Sequence, residues 1–136
     1  MALVSYEQGT KIYEYKKIYS TKEKILELIN RSCNYYGSSL KGRIEATNYL
    51  LNIHYKSPII VSEHSEIILF PISNLKDNNG IWFCYKYVDK YYNNDEQVII
   101  KLKNHTEISV NVSEKIISNQ ILKSARLESI LKSKKQ

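Results

Sequence analysis

Glycine and proline are scarce in this chain of 136 residues, at four and two, and there are only two cysteines, three histidines, two phenylalanines and one tryptophan. Each shortage closes off a class of function. The few glycines form no phosphate-cradling loop of the nucleotide-binding kind. Cys33 and Cys84 match no metal spacing, and neither has a histidine near it in sequence. His54, His64 and His105 join no spaced metal motif. No apolar run approaches the ~20 residues a membrane helix needs, so no membrane contact is expected. Met1-Ala2-Leu3-Val4 passes straight into Ser5-Tyr6-Glu7, with no basic start and no apolar leader core. The expectation is a cytoplasmic protein whose thiols are reduced, although sequence alone leaves a Cys33–Cys84 disulfide open. Glu63/Glu66 and Asp95/Glu96 are carboxylate pairs that solvated turns explain better than acid–base catalysis. No catalytic centre, metal or cofactor is therefore expected.

Tyrosine is abundant where other aromatics are rare, with twelve in the chain. Half-buried strands account for such an excess, and so would stacking or hydrogen bonding to a polar partner. The formal net charge is +6, and it is unevenly spread. Residues 1–56 carry +4 (nine Lys/Arg, five Glu), residues 57–112 carry −2 (five Lys, seven Asp/Glu), and residues 113–136 carry +4 (six Lys/Arg, two Glu). Basic ends around a slightly acidic middle point to one surface that meets a polyanion. The same excess could also be a merely solvated face.

The pattern along the chain predicts an α+β fold in a single domain, with antiparallel strands and about three helices. Thr10–Ser20 alternates among lysines and reads as an edge strand. Thr21 is expected to cap a short helix built on Ile25, Leu26, Leu28 and Ile29, followed by a polar stretch over Asn30–Ser39. A second helix is expected from Ser38 or Ser39 to about Asn52, with Leu40, Ile44, Thr47 and Leu51 on one face. Pro58–Ser62 and Ile67–Ile72 read as a hairpin, and Asp77-Asn78-Asn79-Gly80 as a turn. Ile81–Lys90 reads as an alternating strand, and Gln97–Lys103 with Glu107–Val112 as another hairpin around Asn104-His105. A last helix is expected from Ser113-Glu114 to about Lys132, with a frayed tail over 132–136. Its apolar residues wrap more of the circumference than one stripe needs, so Ile117, Ile121, Leu122 and Leu127 are expected to form an oligomer interface.

One block carries more information. It runs Arg31-Ser32-Cys33-Asn34-Tyr35-Tyr36-Gly37-Ser38-Ser39-Leu40-Lys41-Gly42-Arg43, then Lys56-Ser57-Pro58-Ile59, Leu69-Phe70-Pro71 and Gly80-Ile81-Trp82. This resembles the signature of the competence transcription factor (ComK) family. The resemblance fades after Trp82. It implies a cytoplasmic activator of DNA-uptake genes that binds AT-rich double-stranded DNA through the minor groove. It also implies a homodimer or a dimer of dimers, no cofactor, and control by a Clp-protease adaptor. The chain departs from the family at both ends: it starts close to what would be the family's second strand, and it lacks the aromatic-rich tail that recruits the adaptor in relatives. Adaptor control is accordingly in question. A protein-interaction module that heterodimerises with a relative, or titrates a regulator or adaptor, stands as the alternative.

The residues of the block support DNA binding independently. A helix entry at Ser38 and Ser39 offers free amides and the positive end of a dipole to a phosphate, although both serines could equally be plain caps. Lys41 and Arg43 would add charge, while Gly37 and Gly42 would let backbone come close. Arg31 and Lys56 bracket the segment. Arg43 or Arg31 is the expected side chain for a narrow AT-rich minor groove. Tyr35 and Tyr36 read first as core aromatics and second as sugar contacts. Cys33 reads as a small buried residue.

Overall fold

A computed structural model describes residues 2–6, 9–14, 16–72 and 80–134. Nine strands, three α-helices and one 3₁₀ turn make up these residues, in the α+β arrangement expected. β1 (Ala2–Tyr6), β2 (Gly9–Tyr13) and β3 (Ile18–Thr21) come first, followed by α1 (Ile25–Tyr35) and α2 (Leu40–Leu51). β4 (Ile59–Ser62), β5 (Ile67–Ile72) and β6 (Ile81–Cys84) follow. After the 3₁₀ turn Tyr85–Tyr87 come β7 (Val88–Asn94), β8 (Gln97–Leu102), β9 (Glu107–Val110) and α3 (Glu114–Lys134).

The first six strands form one antiparallel sheet in the order β3-β2-β1-β6-β5-β4, and the last three form a second sheet, β7-β8-β9. β1 lies at the centre because it pairs with β2 on one side and with β6 on the other, Leu3 opposite Trp82. The large sheet is covered on both faces. Leu3, Leu69, Trp82 and Cys84 pack against Ile25, Ile29 and Cys33 of α1. Ala2, Phe70, Ile72 and Phe83 turn the other way, onto Val98, Ile100 and Val110 of the small sheet and Ile117 of α3. Double coverage explains why β6 is buried residue after residue. A third cluster joins Leu51 of α2, Ile60 and Ile68 of the sheet, and Leu127 and Leu131 of α3.

Several local expectations change. Thr10–Ser20 is two strands, β2 and β3, of one hairpin, with Thr10 opposite Thr21. α1 starts after Lys24, whose side chain makes no cap bond, and continues through the stretch expected to be polar loop as far as Tyr35. Leu28, Ile29 and Cys33 explain this, because each finds apolar cover on the sheet. The Ile81–Lys90 strand is broken by the 3₁₀ turn at Tyr85–Tyr87. α3 runs to Lys134, past the start of the expected frayed tail. Of the expected turn, Asp77–Asn79 lies outside the described residues.

Ile117 and Leu127 are fully buried in the chain's own clusters, and Ile121 packs beside the first of them. Neither Ile117 nor Leu127 is free to meet a second copy, which corrects the interface expected there. The buried residues of α3, Ile117, Gln120, Ser124, Leu127 and Leu131, recur at spacings of three and four and form one stripe, whose first half serves one cluster and whose second half serves another. Leu122 lies off this stripe and is 60% exposed.

Candidate nucleic-acid interface

α2 is the element around which the signature block is arranged. Ser39 holds extended backbone before the first turn and its Oγ accepts the Gly42 N–H at 2.9 Å. Asn30 of α1 reaches across and its Oδ1 accepts the Leu40 N–H, also at 2.9 Å. Two of the first three amides of α2 are thus already donating within the chain, which leaves far less of the phosphate cradle than the sequence implied. The helix ends at Asn52, whose left-handed φ of 54° is the C-cap.

The two glycines have internal reasons. Gly37 has φ +88°, and open space surrounds its missing side chain; the turn between α1 and α2 demands it. A Cβ on Gly42 would sit 3.1 Å from Ser38 Oγ and 3.2 Å from Ser39 Oγ. The close approach foreseen at Gly42 is made by the serine hydroxyls that precede it.

The basic residues separate into two kinds. Arg43 turns inward: its side chain is only 16% exposed and its Nη1 is 3.7 Å from Glu63 Oε1. It lines a crevice of about 70 Å³ with Thr47, Leu50, Ile60, Glu63 and Leu131. Its buried Nε has no acceptor among the described residues. Arg43 therefore cannot enter a DNA groove without leaving this packing, and it drops out of the expected contact set. Burial pushes the Cys33 thiol up, and the Arg43 charge partly draws it back.

Arg31 is 66% exposed but bound to Glu23 at 2.8 Å. Such an exposed pair is worth roughly 0–1 kcal/mol, so a phosphate can replace Glu23 at little cost. Lys41 is exposed on the first turn of α2, next to the residue that Asn30 caps. Lys56 lies beyond the other end of the helix. Twelve residues of α2 span about 18 Å. Between them the exposed positions of α2 are Glu45, Ala46 and Tyr49, with the C-cap Asn52 exposed just beyond.

Sequence reasoning missed two features. Tyr35 and Tyr36 are 83% and 42% exposed, not core, and meet edge to face at 5.0 Å. Tyr49 and Tyr55 are exposed as well, at 86% and 71%. The second feature is Lys123 on α3, whose Nζ donates to the Tyr55 carbonyl at 3.2 Å. Burial first, and then the nearby Lys56 charge, push the Lys123 ammonium below its ordinary value. No pattern in the sequence links these positions, which lie on different elements. No group of three or more His, Cys, Asp or Glu side chains able to hold a metal occurs among the described residues. No helix among them is long and apolar enough to cross a membrane.

Comparison with known proteins gives two findings. The sequence model of the family described as ComK protein matches residues 1–136. The chain is also similar to the competence transcription factor of Bacillus subtilis (strain 168), at 28% identity over 120 residues. That alignment takes in 87% of this chain and 62% of the relative, so the chain spans less than two thirds of the relative's length. No solved structure matches significantly.

Proposed function

The chain belongs to the ComK protein family, and on that premise we propose that it is a DNA-binding activator of competence genes, working in the cytoplasm without a cofactor. The whole-chain family match is the observation that carries this reading. Cations near both ends of α2 support it, Arg31 and Lys41 at one and Lys56 beyond the other. Exposed tyrosines on the same two helices and the loop after α2 offer flat apolar surface to sugars. The ligand of this reading is AT-rich double-stranded DNA, whose narrow minor groove concentrates negative potential. With Arg43 turned inward, Arg31 is the arginine of the block available to that groove. Assembly as a homodimer or a dimer of dimers belongs to the same reading, whereas control by a Clp-protease adaptor forms no part of it. Leu122 is then the exposed apolar residue of α3 on which a partner copy would close.

The test is binding of AT-rich and GC-rich duplexes of equal length at two salt concentrations. Tighter binding to the AT-rich duplex is expected, with affinity falling steeply as salt rises. A folded protein that binds neither duplex at low salt refutes the proposal. The alternative of an interaction module without DNA binding rests on the modest net charge, the departures from the family at the chain ends and the apolar width of α3; of that helix, Ile117 and Leu127 are buried in the chain's own core.

A further inference from the structure

Lys56 and Lys123 come from separate elements and converge on one residue. Lys123 Nζ donates to the Tyr55 carbonyl at 3.2 Å, and Lys56 Nζ stands 5.3 Å from the centre of the Tyr55 ring. Neither takes part in an ion pair among the described residues. Each ammonium group reaches a different part of Tyr55, the Lys56 charge acts on Lys123, and an anion beside both would relieve that repulsion.

The backbone points the same way. Lys56 has φ +49°, in the left-handed region where glycine and asparagine are the favoured residues. A lysine held there is a cost to the fold, and such costs collect at binding sites. The turn that holds it is fixed from inside: Ser57 Oγ donates to Asn48 Oδ1 of α2.

We propose that Lys56 and Lys123 form one anion site that clamps a single phosphate group, the phosphodiester of bound DNA, against the exposed edge of Tyr55. The DNA part of this proposal rests on the function proposed above; the phosphate part does not. α3 then takes part in binding through Lys123, although the family-like block lies wholly outside that helix.

Two measurements test it. In the first, the Lys123 ammonium is titrated by NMR with and without inorganic phosphate. Its pKa is expected to rise when phosphate is added, and the rise is expected to vanish in Lys56→Gln. An unchanged titration overturns the site. In the second, duplex binding is compared for Lys56→Gln, Lys123→Gln and the double variant. One shared phosphate predicts that the double variant loses about 0.9 of the log–log salt slope, and less affinity than the product of the single losses. A slope loss of roughly 1.8, with multiplicative affinities, means two separate phosphates and overturns the shared clamp. If phosphate shifts Lys123 but no duplex binds, the anion site stands and the DNA reading fails.

Lys56→Asn guards against a purely structural role. Asparagine tolerates the left-handed backbone, so the thermal midpoint is expected to hold or rise while phosphate binding is lost. A fall in both would mean that Lys56 serves the fold and would overturn the proposal. Lys123→Arg keeps the charge and is expected to keep binding.

Discussion

Asn30 Oδ1 on α1 accepts the Leu40 N–H, the first amide of α2, at 2.9 Å. This bond fastens two helices that are separated in sequence by the turn at Gly37, and it stops an orphan donor at a half-buried helix end from going unpaired. Arg31 and Lys41 follow the two bonded residues in sequence, so the bond also fixes where the neighbouring cations start.

Asn30→Ala is expected to cost about 1 kcal/mol of stability, read from urea unfolding. Asn30→Asp keeps the acceptor and is expected to cost little. Equal losses for the two would mean that the side-chain amide, not its oxygen, matters.

At Gly42 an alanine would gain up to about 1 kcal/mol of helix propensity, but its Cβ would press on the hydroxyls of Ser38 and Ser39. Gly42→Ala alone should therefore yield little of that gain. In a Ser38→Ala background one of the two close contacts is gone, and more of the gain should appear. A double-mutant cycle measures this coupling, and strict additivity would contradict it.

Arg43 is a packing residue with a polar end that is poorly served. Its aliphatic stem covers apolar surface, so Arg43→Ala is expected to destabilise the fold by about 1–2 kcal/mol. Arg43→Met keeps the stem and removes an orphaned buried donor. It is expected to match or exceed the parent in stability, because such a donor costs about 1–3 kcal/mol. The salt slope for DNA should be the same in all three proteins. A loss of slope in Arg43→Met would return Arg43 to the DNA surface.

The buried thiols set an alkaline limit. Burial raises both Cys33 and Cys84 above the ordinary value of 9.0. Their folded-state pKa values exceed the unfolded ones, so the unfolded chain releases protons first as pH rises. Their contribution to stability is complete below pH 9.0 and is lost above it. Denaturation midpoints are expected to stay flat through neutral pH and fall beyond that point, with a shallower fall in Cys33→Ala/Cys84→Ala. The same burial should keep both thiols unreactive to alkylation in the folded protein and leave them reactive in urea.

Much of the fold was legible because its signals are local. The stripe of Leu40, Ile44, Thr47 and Leu51 and the serines before it place α2 within one or two residues of its observed ends. The β4–β5 hairpin and the start of α3 are equally clear, since two-residue alternation and a cap each need only nearby residues. β1 went unnoticed because five residues carry little pattern, and its place comes from pairing with β6, some eighty positions away. The last turns of α1 are polar on the outside and so carry no helical stripe in the sequence. Their apolar members, Ile29 and Cys33, declare themselves only against the sheet.

The candidate site divides in the same way. Ser39 as cap, Lys41 as exposed cation and Gly42 as a point of close approach can be inferred from the order of residues. The inward turn of Arg43, the exposure of Tyr35 and the meeting of Lys123 with Lys56 cannot.

The order of residues by itself determined the α+β class, through its helical and alternating runs, the position of the central helix and, by resemblance over the whole chain, the family, because each is written in residues close together. Tertiary structure alone decided which cations remain outside and which are consumed by the core. That choice depends on Glu63, Leu131 and Tyr55 arriving from other parts of the chain, and burial and electrostatic pairing act through space, without regard to sequence distance.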